Sequence, residues 1–180
     1  MAIKATIFKA ELTISDMDRH YYQTHQLTIA RHPSESDERM MLRLLAFASY
    51  ASEFLEFGKG LSNEDEPDLW AKDLSGNIQC WIDLGQPSEK RINKACGRSA
   101  QVVVINYGGG SGDIWWQQNQ GNLARHKNLS VLSIDTDTSQ KLAAMASRNM
   151  QLQCSIQDQT IWIASDEQSV ELIYEKRKDI

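Results

Sequence analysis

The chain has 180 residues, 41% apolar and 24% charged, with 10 Gly and 3 Pro. This is the composition of a globular chain with a sizeable core, and it excludes collagen-like or low-complexity architectures. The formal net charge of −5 excludes a surface dominated by Lys and Arg, while leaving local basic patches open.

The elements follow in chain order. Ile3 to Ile14 alternates in strand fashion, Ser15 to Asp18 has turn chemistry, and Tyr21 to Arg31 is again strand-like, which predicts an N-terminal β-hairpin. Ser34 and Asp37 form an S-x-x-D capping box after Pro33, so a long helix is expected over 34–59, with Gly58 and Gly60 as its stop. An acidic stretch, Ser62 to Asp68, leads into two short strands, Leu69 to Leu74 and Ile78 to Leu84, joined at Ser75-Gly76-Asn77. A helix is predicted from Ser88 to Ser99, with Ile92, Ala95 and Cys96 inward, and then a buried strand from Gln101 to Tyr107. A glycine loop at 108–112 precedes a helix over 113–127, a strand over 129–134 and a helix over 138–148. Strands at 151–156, 160–164 and 170–174 finish the chain, with 175–180 read as a frayed tail. No repeat or interdomain linker appears, so the expected architecture is one mixed α/β domain spanning 1–180.

No apolar run approaches the roughly 20 residues of a membrane helix. The first residues lack a charged-then-apolar leader. Cys80, Cys96 and Cys154 lack CxxC spacing, which favours buried thiols over zinc ligands. Together these features point to a cytoplasmic chain without a membrane segment.

The most informative pair is Asp68, before the first short strand, and Asp83, at the end of the second. An antiparallel hairpin brings both carboxylates to one end, and hard oxygen ligands from two elements are what Mg²⁺ or Mn²⁺ takes in phosphodiester hydrolysis. The order helix, Pro67-Asp68, hairpin, Asp83, helix, strand resembles the αβββαβ core of the PD-(D/E)XK nuclease superfamily. More closely, His32-Pro-Ser-Glu, Phe57-Gly-Lys-Gly-Leu-Ser, Glu66-Pro-Asp-Leu-Trp and Trp81-Ile-Asp-Leu-Gly-Gln-Pro, with Lys90-Arg91 and Lys94-Ala95, resemble the YaeQ protein family over essentially the whole chain.

The resemblance implies a nuclease-like, restriction-endonuclease-like core over about 34–135, with Asp68 and Asp83 as metal ligands. It departs at the superfamily's Lys, whose position two residues after Asp83 holds Gly85. Gln86 is a neutral replacement, and a cation from the following helix is another, with Lys90 and Lys94 on one face and Arg91 and Arg98 flanking it. Arg39 and Arg43, at i and i+4, are weaker phosphate candidates that could instead pair with Glu35 or Asp65.

Other sites fit less well. Gly108, Gly110 and Gly112 spell G-x-G-x-G after a buried strand, but Asp113 stands where a dinucleotide loop needs its third Gly, and Gly-Lys-Ser/Thr is missing for a Walker loop. Too few residues follow for a methyltransferase. His20 and His25 fall on opposite faces of a strand, which argues against zinc. The expected function is therefore a metal-dependent nuclease-like protein cleaving or binding nucleic acid. The alternative is an inactive descendant of that fold that binds nucleic acid or transcription and repair proteins.

Overall fold

The computed structural model describes residues 4–59 and 64–180. Ile3, Gly60, Ser62 and Asn63, which the sequence assigns to the first strand, the helix stop and the acidic stretch, lie outside the described residues. Among the described residues the fold is mixed α+β, with four helices and two mixed sheets. The chain divides into two compact units, Met1–Ala51 with Asp137–Ile173, and Ser52–Thr136 with Tyr174–Ile180.

The first unit opens with the expected hairpin. Strand β1 (Thr6–Asp16) pairs antiparallel with β2 (Tyr21–Arg31). Phe8, Ala10, Leu12, Ile14 and Asp16 are buried on alternate positions, the period of two that places one face of a strand in a core. Asp16 organises the turn, taking the amides of Asp18 and Arg19 at 3.1 and 3.0 Å and the Arg19 guanidinium at 2.6 Å. Helix α1 (Asp37–Tyr50) follows, and it is shorter than the sequence predicts. Its N-cap is Ser36, whose side chain accepts the Arg39 amide at 3.1 Å. Ser34 is instead held by the His32 ring, 2.6 Å from Nδ1, so the helix is capped two residues later than the S-x-x-D pattern predicts.

Helix α1 ends at Ala51 without a glycine, and Leu55–Phe57, expected to be helical, forms strand β3 of the second unit. Strand β3 pairs with β4 (Leu69–Lys72), which pairs with β5 (Ile78–Leu84), all antiparallel. Helix α2 (Glu89–Arg98) then crosses to β6 (Ser99–Asn106), parallel to β5. Val102 to Asn106 are buried on both faces, as a central strand requires. Helix α3 (Gly110–Leu123) starts three residues earlier than expected. Gly109, at φ +58, precedes it, and a Cβ on Gly112 would lie 2.8 Å from both the Asn106 side-chain oxygen and the Tyr107 carbonyl. The glycine loop therefore lets a helix start press against the end of β6, which is a packing role.

Strand β7 (Leu129–Ser133) adds parallel to β6, and helix α4 (Thr136–Ala143) is shorter than the predicted 138–148 segment. Strands β8 (Asn149–Gln157), β9 (Thr160–Ala164) and β10 (Ser169–Leu172) complete the first sheet in the order β10-β9-β8-β1-β2, with β8 parallel to β1. The tail is not frayed. Glu175–Lys178 forms β11, antiparallel to β7, and closes the second sheet in the order β11-β7-β6-β5-β4-β3. Its charged sequence gives no apolar alternation, but backbone pairing with an edge needs none. No helix among the described residues is long and apolar enough to cross a membrane.

Burial raises the thiols of Cys80 and Cys96 to about 11 and that of Cys154 to about 12. At pH 8 all three are protonated thiols, and only the thiolate reacts. Alkylation by iodoacetamide at pH 8 is expected to run at least about tenfold slower in the folded chain than in urea. Equal rates in the two conditions, read by mass spectrometry, would contradict the burial.

A second prediction concerns the β3–β4 edge. The Gly58 amide donates to the Asp68 carbonyl at 2.9 Å, and a Cβ on Gly58 would stand 1.9 Å from the Pro67 carbonyl oxygen. Gly58→Ala must therefore push backbone against backbone, with an expected stability loss of about 2–3 kcal/mol in urea unfolding. A loss below about 0.5 kcal/mol would show that the two segments part easily.

Candidate functional site

The register of β4 on β5 sets Leu69 opposite Ile82 and Trp70 opposite Trp81. Extended by one step, it sets Asp68 opposite Asp83, and directly opposed residues of an antiparallel pair share a face. That face carries Trp70, Trp81, Val102, Val104 and Val131, which form a buried core cluster with Ile92 and Ala95 of α2. The hairpin thus brings the two predicted carboxylates together. They lie at the end of an apolar row, where Asp68 is 7% and Asp83 3% exposed.

Burying two carboxylates side by side is costly unless each is hydrogen-bonded and a cation offsets their charge. Asp68 Oδ2 accepts the Leu84 amide at 2.8 Å. Asp83 Oδ2 accepts the Trp81 indole Nε1–H at 3.0 Å, two residues back on the same strand face. The cation is Arg91. Its Nε donates to Asp83 Oδ2 at 2.8 Å and its Nη2 to Oδ1 at 3.0 Å, a bidentate fork. The remaining reach of the guanidinium goes to backbone, with Nη1 donating to the Glu64 carbonyl at 2.9 Å and Nη2 to the Glu66 carbonyl at 2.8 Å. The hydrogen bond to Asp83 raises the Arg91 pKa above its ordinary value; burial opposes this, and the charges of Asp83, Asp68 and Glu64 reinforce it. The guanidinium is 5.6 Å from the Trp81 ring centre, and Arg98 lies over the same ring at 5.5 Å.

Local sequence explains how Arg91 arrives there. Ser88 caps α2 by accepting the Arg91 amide at 3.2 Å, which starts the helix next to the end of β5. Arg91 then lies four residues before buried Ala95 and next to buried Ile92, on the side of α2 turned to the sheet. The sequence pattern groups Arg91 with Lys90 and Lys94 on an outward basic face, and the structure separates them. Lys90 is exposed, and Lys94 forms a surface pair with Asp65 at 3.0 Å, which holds that carboxyl below its usual range.

The other predicted residues go elsewhere. Gln86 is exposed, and its Nε2 donates to the Tyr107 carbonyl at the β6–α3 corner, beside Gly108. Gly85, at φ +91, is fixed by its amide to the Ile105 carbonyl at 2.9 Å. Arg39 and Arg43 both face Glu35 in the first unit, at 3.0 and 2.6 Å, and Arg43 is buried and donates also to the Ala30 carbonyl at 3.0 Å. Their charge is therefore engaged within the protein instead of facing a phosphate.

Asp68 and Asp83 offer the hard oxygens that Mg²⁺ or Mn²⁺ takes. Both oxygens of Asp83 and Oδ2 of Asp68, however, already accept hydrogen bonds at 2.8–3.0 Å, and a cation stands on Asp83. Among the described residues, no group of three or more His, Cys, Asp or Glu side chains comes together to hold a metal. With Arg91 in place, the site does not fit a divalent ion.

Comparison with known proteins places this geometry in a family. The family model described as "YaeQ protein" matches residues 1–174. The uncharacterised protein YaeQ of Escherichia coli strain K12 is 46% identical over 172 residues, which is 96% of this chain and 95% of the relative. That of Salmonella typhi matches to the same extent. The crystal structure of YaeQ protein from Xanthomonas axonopodis pv. citri superposes with a TM-score of 0.95 at 49% identity, covering 98% of this chain and 99% of that one. The crystal structure of YaeQ protein from Pseudomonas syringae gives a TM-score of 0.93 at 33% identity, covering 98% and 97%.

The bidentate pair sets a stability prediction. Removing one partner of a buried ion pair costs about 3–5 kcal/mol. Here the Arg91 side chain is 26% exposed, so water softens the loss, and Asp83→Asn is expected to cost about 2–3 kcal/mol. Combined with Arg91→Met, the loss should fall short of the sum of the single changes by at least about 1 kcal/mol. Additivity within about 0.5 kcal/mol would show that carboxylate and guanidinium do not depend on each other.

Proposed function

We propose, for a chain that belongs to the YaeQ family, a nuclease-like protein that binds nucleic acid without cleaving it at Asp68 and Asp83. The observation that carries this reading is the Arg91 fork on Asp83. Metal-assisted phosphodiester hydrolysis needs carboxylate oxygens open to a cation and to water, and both oxygens of Asp83 and Oδ2 of Asp68 are taken by protein donors. The relation to a PD-(D/E)XK nuclease core is supported by the order α1, β3, β4, β5, α2, β6, an αβββαβ succession, and by the opposed positions of Asp68, just before β4, and Asp83 on β5.

Nucleic acid is favoured as the partner by the outer face of α2. Lys90 and Lys94 are exposed there, and a local pair of cations attracts phosphate even on a molecule of net negative charge. Lys94 would have to leave Asp65, a surface pair that holds little energy.

The test uses labelled single- and double-stranded DNA and RNA with Mn²⁺, read both for cleavage and for fluorescence anisotropy. The expected result is binding without Asp83-dependent cleavage. Lys90→Glu with Lys94→Glu should weaken binding several-fold and lower the log–log salt slope by about 0.9 for each phosphate no longer neutralised. Cleavage that disappears in Asp83→Asn would overturn this reading in favour of a metal-dependent nuclease. Unaltered affinity in the double Glu variant would remove α2 as the binding face.

A further inference from the structure

Two buried carboxylates on opposed strand positions can be balanced by a divalent ion or by a guanidinium, and the two solutions exclude each other sterically and electrostatically. Arg91 meets every requirement of the second. Its planar fork matches both oxygens of Asp83, at 2.8 and 3.0 Å, and its outer N–H groups are fixed by the Glu64 and Glu66 carbonyls at 2.9 and 2.8 Å. Its charge also reaches Asp68, whose field raises the guanidinium pKa together with that of Asp83. Behind it, Trp81 closes the floor with an indole N–H on Asp83 at 3.0 Å. A side chain held on both ends in this way is part of the framework, unlike the surface pair of Lys94.

We infer that Arg91 is the resident cation of the Asp68–Asp83 pair, that it excludes Mg²⁺ and Mn²⁺ from the native chain, and that shortening it uncovers a divalent-cation site. The inference rests on the reading of a non-cleaving protein and gives its cause. It does not require that nucleic acid bind at all. When the guanidinium is removed, both Asp83 oxygens lose their charged donor, while the Leu84 amide stays on Asp68 at 2.8 Å. The space left is lined by carboxylate oxygens and by the Glu64 and Glu66 carbonyls, which are hard donors suited to Mn²⁺ or a lanthanide.

Terbium luminescence reads the site directly, because Trp81 is hydrogen-bonded to Asp83 and can pass its excitation to an ion seated there. The full chain would be titrated with Tb³⁺ under tryptophan excitation and with Mn²⁺ by calorimetry. The wild type is expected to show no saturable signal that depends on Asp83. Arg91→Ala should bind at least tenfold more tightly than wild type, and the gain should vanish in Arg91→Ala with Asp83→Asn. Arg91→Gln keeps part of the side-chain stem beside Trp81 and guards against a folding failure of the alanine variant, with circular dichroism as the check. Stoichiometric Mn²⁺ binding by the wild type that is lost in Asp83→Asn overturns the inference. So does the absence of any gain in a folded Arg91 variant. The wild-type measurement decides the first point whether or not a variant folds. Since the titration contains no nucleic acid, its failure is separable from a failure of the binding reading.

Discussion

Two acidic side chains buried next to each other need a positive charge beside them, and in this protein the charge is a guanidinium delivered to Asp83 by the helix that follows. Ionised carboxylates taken from water lose several kcal/mol of hydration each, which only close, well-directed partners restore. Arg91 restores it for Asp83 with two N–H bonds, while the Leu84 amide serves Asp68. The consequence is mechanical as well as electrostatic. Through Arg91 the first turn of α2 is tied at once to β5 and to the carbonyls of Glu64 and Glu66, so strand, helix and connecting segment share one fixed point.

The surrounding structure is arranged so that this fixed point can exist. Gly58, without a side chain, lets β3 approach the Pro67–Asp68 backbone, which fixes where the Asp68 carboxylate emerges. Trp70 and Trp81 meet edge to face with ring centres 6.0 Å apart on the row just before the carboxylates. They supply an apolar floor and, from Trp81, a hydrogen bond. Ser88 sets the phase of α2, and Ile92 and Ala95 press it onto the sheet. A change of helix phase by one residue would point Lys90 or Ile92 at Asp83 instead, and the carboxylate would lose its partner.

Much of this is legible in the sequence. The limits of β2, β5 and β9 match the strand-like runs read from the sequence, and Ser88 marks the start of α2. The approach of Asp68 to Asp83 follows from placing one before and one at the end of adjoining strands. What is not legible has specific causes. The β3 strand is three residues long, and Leu55 continues the apolar spacing of α1, so the period hides the change of element. Strand β11 is charged throughout, and it is held by backbone pairing with β7 and by an Arg177–Asp113 ion pair, neither of which leaves an apolar alternation to read. Arg91 is hidden by composition, since it stands among Lys90, Lys94 and Arg98. Its position four residues before Ala95 is the available signal, because it places Arg91 on the apolar side of α2 and leaves Lys90 and Lys94 off it. The cation of the acid pair stands on α2, where Arg91 neutralises Asp83.

Everything built around the acid pair requires that the Arg91 guanidinium stay on Asp83 in solution and not yield to a divalent ion. Nitrogen-15 NMR of the Arg91 side chain measures this directly. The expected result is an Nε–H resonance that is shifted downfield, protected from exchange with water, and unchanged by millimolar Mg²⁺. An Arg91 Nε–H that exchanges as fast as that of a solvent-exposed arginine, or that loses its protection as Mg²⁺ is added, would contradict it.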